Sequence, residues 1–218
     1  RCKFTENTEG TAQFVNDITP VKTLGKNPIT TTSGSADITI NHRNHGMHST
    51  NNNVTIGASI DLIGNQSNYV RHGVDYKTLE SNYNKIKNLK NVTFRITSVL
   101  HSMNLYNLPD LQKRWIDLGV DCKDISFNLL VNPSEQAIIV LPDHYKNIAL
   151  VKIQSHIEYL KTVPNSIDLI NKWIEVRTFM TSRSDTHLLG EFFRLTDDKD
   201  RIRHQKFEDY FPEYKNLR

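Results

Sequence analysis

Cysteine is scarce in this chain, since its 218 residues contain only Cys2 and Cys122. Two cysteines so far apart do not define a disulfide framework, and such usage is typical of a protein kept in a reducing compartment. We therefore expect a cytoplasmic protein. Two cysteines are also too few for the thiolate set that normally holds an iron–sulfur cluster.

Long apolar runs and clusters of basic residues are also missing. No stretch approaches the ~20 apolar residues of a transmembrane helix, and the N-terminus lacks the basic-then-apolar pattern of a secretory signal. The net charge is only +3, and the Lys and Arg residues are spread among Asp and Glu. A nucleic-acid surface needs a clustered basic face, so the composition predicts no membrane span and disfavours nucleic acid as a partner. Because the chain does not begin with Met, we interpret it as a piece of a longer parent.

Three segments differ in the clarity of their patterns. Residues 1–53, rich in Thr, Asn, Ser and Gly, form a poorly defined N-terminal segment. Residues 54–146 predict alternating strands and helices, and residues 147–218 predict a C-terminal helical extension.

The N-terminal segment offers two local signals. Residues 29–32 are β-branched and predict a short strand. His42, His45 and His48 recur at a spacing of three, which allows either a metal site or a solvated loop. The lack of a neighbouring acid or cysteine favours the loop.

The middle segment alternates between two hydrophobic periods. Strand patterns cover residues 54–63, 92–99 and 124–130, and helix patterns cover residues 75–89 and 108–118, with a loop over residues 64–74. Such alternation predicts an α/β fold with parallel, adjacent strands and right-handed crossover helices. The C-terminal ends of such strands carry the chemistry, and we expect Asp61, Asn104 and Asn128 to converge there.

Beyond Pro133 the pattern becomes mainly helical. One more short strand is predicted over residues 137–141, and helical spacing covers residues 148–160, 167–180 and the stretch from Leu188 onwards. The charged last segment carries Phe207, Tyr210 and Phe211 on one side. It is interpreted either as a solvated helix pinned by its aromatic residues or as an interaction surface.

Several short motifs are similar to those of one enzyme family. They are Ser59-Ile60-Asp61, Tyr69-Val70-Arg71 with His72-Gly73, Tyr76, Asn82, the run 127–130 with Pro133, Leu141-Pro142 with Lys146, Asp200-Arg201, Phe207 and Phe211-Pro212-Glu213. Through these motifs residues 54–218 resemble radical S-adenosylmethionine (SAM) enzymes. The subgroup concerned is the one described as twitch domain-containing, which is common in phage and marine bacterial genomes.

The resemblance implies both a fold and a chemistry. The fold is the second half of a (β/α) barrel, a partial barrel with a helical extension. The chemistry is reductive cleavage of SAM by a [4Fe–4S] cluster, which yields a 5′-deoxyadenosyl radical that abstracts hydrogen from a peptide or small-molecule substrate. Ser59 and Asp61 would face SAM, Arg71 would pair with its carboxylate, and Asn104 and Asn128 would add hydrogen bonds from the same rim.

The sequence departs from the family at the cluster. It has neither the Cys-x3-Cys-x2-Cys loop that binds the cluster nor the Gly-Gly-Glu-Pro-like stretch that grips the amino group of SAM. One hypothesis is that a longer parent carries the cluster, in which case this chain alone is inactive. The other is a cluster-free relative that acts as a binding or scaffold module for a peptide or nucleotide. Taken singly, Asp61 also suits a helix or turn cap, and Arg71 a surface salt bridge.

Overall fold

The computed structural model describes the backbone of residues 2–3, 13–16, 19–23, 29–31, 38–40, 54–89 and 92–218, and the side chains of residues 55–89 and 92–218. Near the N-terminus lie five short strands: β1 (Cys2–Lys3), β2 (Gln13–Asn16), β3 (Thr19–Thr23), β4 (Ile29–Thr31) and β5 (Ile38–Ile40). The first three form an antiparallel sheet, and β4 pairs with β5 in a second. The strand predicted over residues 29–32 is therefore confirmed.

A three-stranded parallel sheet organises the rest of the molecule. Its strands are β6 (Val54–Ser59), β7 (Val92–Leu100) and β8 (Ile125–Leu129), hydrogen-bonded in that order. Val54 pairs with Val92, and Ile96 pairs with Ile125. The prediction of adjacent parallel strands is confirmed. Because only three strands of the described chain join this sheet, the partial barrel itself stays a prediction.

The described residues form seven α-helices. They are α1 (Gly64–Val70), α2 (Tyr76–Ile86), α3 (Leu108–Asp117), α4 (Asp143–Leu160), α5 (Ile167–Ser182), α6 (Leu189–Arg203) and α7 (Phe207–Tyr210). Asp75 caps α2 by accepting a hydrogen bond from the Lys77 N–H. Gly119, with a φ of 101°, takes up the left-handed conformation just past α3. None of the described helices is long and apolar enough to cross a membrane.

Aromatic side chains bind the helices to one face of the sheet. Phe94 on β7 lies between Tyr83 of α2 and Trp115 of α3, with ring centroids 4.9 and 5.5 Å away. Phe127 on β8 packs against Trp173 of α5 at 4.9 Å. Both tryptophans are fully buried, so this face of the sheet holds the hydrophobic core.

The opposite face of the sheet is exposed and polar. Its side chains alternate with those of the core face along each strand, and exposed members occur on all three strands: Gly57, Ser59, Arg95, Thr97, Ser126 and Asn128. A Cβ atom added to Gly57 would meet nothing within 4 Å. Since parallel sheets are usually covered on both faces, this polar face is unusual.

The C-terminal segment closes the core. Phe207 and Phe211 are completely buried, and the Phe211 ring lies 5.3 Å from that of Tyr69 on α1. Gln66 of α1 donates hydrogen bonds to the Tyr210 carbonyl and to Glu213. Of the two interpretations of this segment, pinning by the aromatic residues is confirmed for Phe207 and Phe211.

Two predicted elements are wrong. The loop expected over residues 64–74 contains α1, whose polar sequence has no apolar stripe and which is stabilised by Tyr69 and Gln66 through contacts distant in sequence. The strand expected over residues 137–141 is a 3-10 turn, Ile138–Val140. All five of those residues are completely buried, and a short buried apolar run has the same sequence pattern in a strand as in a helical turn.

Candidate functional site

Asp61 ends the pairing of β6 with β7. The last backbone bond between them runs from the Ile60 N–H to the Thr97 carbonyl at 3.2 Å. The next N–H of β7, that of Val99, donates instead to Asp61 Oδ1 at 2.7 Å. The carboxylate is 4% exposed, and its second oxygen, Oδ2, accepts from Arg71 Nε at 2.7 Å. Asp61 therefore ties the end of β6 to β7 and to Arg71, and it does not cap α1.

Arg71 follows α1 and points its forked end outward. Its Nε atom is held by Asp61, and the side chain is 39% exposed. Within the described part of the chain its terminal Nη atoms have no hydrogen-bond partner. A guanidinium fixed at Nε keeps its two terminal nitrogens in the geometry that binds a carboxylate or phosphate bidentately. Arg71 thus presents the outer end of a fixed guanidinium, unpaired among the described residues, at the C-terminal edge of the sheet.

Asn104 belongs to the same hydrogen-bonded cluster and is fully buried. It lies in the 3-10 turn Ser102–Asn104 that follows β7. Its Nδ2 atom donates to the carbonyls of Val99 (2.8 Å) and Asp61 (3.1 Å), and its Oδ1 accepts from the His101 N–H at 2.8 Å. These three bonds use most of the capacity of the amide, so Asn104 positions the two strand ends.

Ser59 and Asn128 lie on the exposed face of the sheet. Ser59 pairs with Thr97, and Thr97 pairs with Ser126, so three hydroxyl side chains form one row across the strands. The Thr97 and Ser126 hydroxyl oxygens are 3.3 Å apart. Asn128, opposite Val99, lies one step nearer the C-terminal end. The row and Asn128 present hydroxyl and amide groups to solvent beside the Asp61 cluster.

The structure thus gathers Asp61, Arg71 and Asn104 into one hydrogen-bonded cluster and places Ser59 and Asn128 on the adjacent open face. Their contacts with a ligand stay a prediction. His42, His45 and His48 lie outside the described residues.

No family model, curated protein or solved structure matches this chain. Any functional assignment therefore depends on the residues and geometry of the site.

The chain's own residues do not fit an iron–sulfur cluster. Such a cluster needs several thiolates close together, and the sequence supplies two cysteines. Cys122 is 3% exposed, and burial raises the pKa of its thiol, which opposes the thiolate form that binds metal. Among the described residues no group of three His, Cys, Asp or Glu side chains is arranged to hold a metal ion.

His101 and Lys199 belong to this region and were not singled out from the sequence. His101 directly follows β7, so the strand-end rule that selected Asp61 also applies to it. The ring is 8% exposed. Burial lowers its pKa to about 4, with the nearby Asp61 carboxylate opposing this shift and the Lys199 and Arg71 charges adding to it. Lys199 lies on α6, far along the chain, and no sequence signal connects it to the strand ends.

A separate pocket of about 410 Å³ lies between α1 and the α6–α7 junction. It is lined by Asn65, His204, Gln205, Lys206, Asp209 and Tyr210. Its charged groups are of both signs. Tyr210 is the one residue singled out from the sequence that lines it, and none of the five predicted SAM-binding residues does.

Proposed function

We propose that this chain is the C-terminal part of a radical SAM enzyme and that it binds SAM at the C-terminal ends of β6, β7 and β8. The enzyme acts in the cytoplasm on a peptide or small molecule. Reductive cleavage of SAM is assigned to a longer parent, because this chain lacks the ligands for a cluster. The role of this chain is to bind and orient SAM.

The observation that carries the proposal is the way in which Asp61 holds the Arg71 guanidinium. Asp61 holds its Nε atom at 2.7 Å, and no residue that the structure describes pairs with its terminal nitrogens at the end of the parallel sheet. Ligands of open α/β sheets bind outside the carboxyl ends of the strands. The carboxylate of SAM is the group that this fork would bind.

The open face of the sheet supports the same ligand. SAM carries ribose hydroxyls and polar purine nitrogens as well as its amino-acid end. The row of Ser59, Thr97 and Ser126, with Asn128 beyond it, offers both donors and acceptors for such groups. A polar, exposed face next to a carboxylate receptor suits a ligand with these two kinds of group.

A cluster-free binding module is the second candidate. The burial of Cys122 favours it, because this thiol is shielded from an iron site even if thiolates came from elsewhere in a parent. Such a module would use the same edge of the sheet to bind a nucleotide or peptide without chemistry. The sequence of the parent reading frame distinguishes the two, since only the enzyme requires a Cys-x3-Cys-x2-Cys loop.

Titration calorimetry of the chain with SAM tests the proposal. We expect Arg71→Gln to weaken SAM binding by about ten- to a hundredfold, since a charge-assisted hydrogen bond contributes about 1.5–3 kcal/mol. Arg95→Gln is the matched control. Arg95 lies on the exposed sheet face and donates its Nε to Asp124 at 3.1 Å, but away from the strand ends.

Two results would contradict the proposal. One is the absence of measurable SAM binding by the wild-type chain, and the other is an equal loss of affinity in Arg71→Gln and Arg95→Gln. Circular dichroism on each variant verifies that the fold is retained.

A further inference from the structure

A second cation lies near Arg71 and comes from the C-terminal helices. The Lys199 ammonium on α6 sits 5.2 Å above the ring of Tyr69, which is completely buried on α1. Burial lowers the pKa of Lys199, and the charge of Arg203 adds to this shift. A partly buried ammonium is therefore held next to α1, the helix that leads into Arg71.

The carboxylates around these two cations are already occupied. Asp200, the acid next to Lys199, accepts from the Tyr69 hydroxyl and from the Phe207 N–H, both at 2.7 Å. Asp61 accepts from Val99 and Arg71. Lys199 forms no salt bridge with any residue that the structure describes. Arg203 adds a third cation, since its Nη1 donates to the Tyr69 carbonyl at 2.8 Å. Three cations therefore face two carboxylates, and positive charge at this place is only partly compensated.

His101 connects the two cations. Its Nδ1 atom accepts from the Met103 N–H at 3.2 Å, so the neutral ring carries its proton on Nε2. No described residue accepts a hydrogen bond from that Nε2–H. Hydrogen bonds link His101 to Arg71, since the His101 N–H donates to Asn104, Asn104 donates to the Asp61 carbonyl, and the Asp61 carboxylate accepts from Arg71. In agreement with this, the charges of Arg71 and Lys199 both disfavour protonation of the ring and so lower its pKa.

We propose that Arg71, Lys199 and the Nε2–H of His101 form one binding site for the oxygen atoms of an acidic group, a carboxylate or a phosphate. Two cations and a neutral donor, beside two carboxylates whose oxygens are already engaged by other donors, favour an anion. The site makes α6 part of the ligand-binding edge. Assigning the acidic group to SAM rests on the proposed function, whereas the anion site itself does not.

Sulfate is the probe, because its charge stays constant across neutral pH. The chain is labelled with ¹³C at the histidine ε1 position, and the His101 signal is assigned with His101→Gln. We expect sulfate, added at constant ionic strength against chloride, to shift the His101 signal saturably. In Lys199→Met and in Arg71→Gln, the half-saturating sulfate concentration should rise at least tenfold. Methionine keeps an unbranched stem over Tyr69 and removes the charge.

Lys113→Met is the matched control. The Lys113 ammonium lies over the Tyr159 ring at the same distance, 5.2 Å, but on another part of the surface. This variant should bind sulfate like the wild type. A wild-type chain without a saturable shift, or a Lys199→Met variant with unchanged affinity, would overturn the anion site.

SAM then identifies the source of the acidic group. Competition between SAM and sulfate assigns the site to the carboxylate of SAM, and independent binding assigns it to an acidic group on a second ligand. If sulfate binds through Lys199 but SAM does not bind at all, the anion site stands and the proposed function fails. If SAM binds and neither ligand depends on Lys199, the anion site is wrong and the proposed function stands.

Discussion

His156 is a buried histidine with a structural role. It bonds through Nε2 to Gln112 Oε1 at 2.8 Å, and Trp173 donates to the same oxygen at 2.8 Å. Since Trp173 is a donor, Gln112 Oε1 is the acceptor in both bonds, and His156 carries its proton on Nε2. Burial lowers the pKa of His156 from 6.5 to about 4. The fold therefore holds this ring in its neutral form.

This depressed pKa predicts a loss of stability in acid. As pH falls below 6.5 the unfolded chain takes up a proton at His156 that the folded chain refuses until about pH 4. Stability is therefore lost between these two values, by about 2 kcal/mol between pH 7 and pH 5 for this residue. In His156→Gln, urea unfolding should show a pH dependence shallower by that amount. The exposed His144→Gln is the control, and equal slopes in the two variants would refute the assignment.

Variants of Asn104 and Asn128 should differ in their effects on stability and on SAM binding. Asn104 is completely buried with three hydrogen bonds, whereas Asn128 is exposed on the open sheet face. Removing the buried amide leaves backbone groups without partners, so Asn104→Ala should cost about 2–4 kcal/mol. Asn128→Ala should change stability by less than about 0.5 kcal/mol while weakening SAM binding. Chemical denaturation and calorimetry on both variants test this, and a reversed order would remove both roles.

Among the elements, the C-terminal segment places two completely buried aromatic side chains, Phe207 and Phe211, in the core. Phe211 lies between α7 and the last turn, completely buried, with the Phe207 ring at 5.0 Å and the Tyr69 ring at 5.3 Å. Phe211→Ala should lower the free energy of unfolding by about 3–5 kcal/mol, because the helices around it can only partly fill the cavity. The control is Ile202→Ala on α6, where the side chain is 71% exposed. A cost below about 1 kcal/mol for Phe211→Ala would show that this segment does not belong to the core.

Elements whose stability is local were predictable, and elements defined by distant contacts were not. The pattern of α2 includes its Asp75 cap and a stripe that buries Tyr76 and Tyr83, so its position follows from the sequence. In contrast α1 has only Tyr69 and Ser67 buried, and it is held by residues more than a hundred positions away. The prediction of a strand over residues 137–141 failed for a different reason. Burial on all sides removes the periodicity that distinguishes a strand from a helical turn.

At the scale of the whole molecule, one rule located the site in part. The strand-end rule brought Asp61 and Asn104 together correctly, because both follow parallel neighbours directly. It did not reveal that both carboxylate oxygens of Asp61 accept hydrogen bonds from Arg71 and Val99, since hydrogen-bond partners depend on the side-chain geometry. Lys199 escaped prediction because packing of α6 against α1 brings it there, and nothing local in sequence encodes that packing.

The described chain places the outer end of the Arg71 guanidinium beside a polar sheet face, with no cysteine next to them. Binding a ligand and holding a cluster are separable properties, and our proposal assigns only the first to this chain. A [4Fe–4S] cluster needs several thiolates near one another, whereas Cys122 lies in the hydrophobic core, where burial raises the pKa of its thiol. We therefore expect SAM binding without SAM cleavage.

Anaerobic reconstitution with iron and sulfide tests this directly. The purified chain should show no broad visible absorbance of an iron–sulfur cluster and, with SAM and a strong reductant, should release no 5′-deoxyadenosine detectable by chromatography. Cys2→Ser and Cys122→Ser are the matched variants, and both should give the same iron content as the wild type. Stoichiometric iron and sulfide in the wild type, lost in either variant, would show that the two cysteines do serve a cluster. In that event the division of roles between this chain and a longer parent would be wrong, whereas SAM binding through Arg71 would still depend only on the calorimetry.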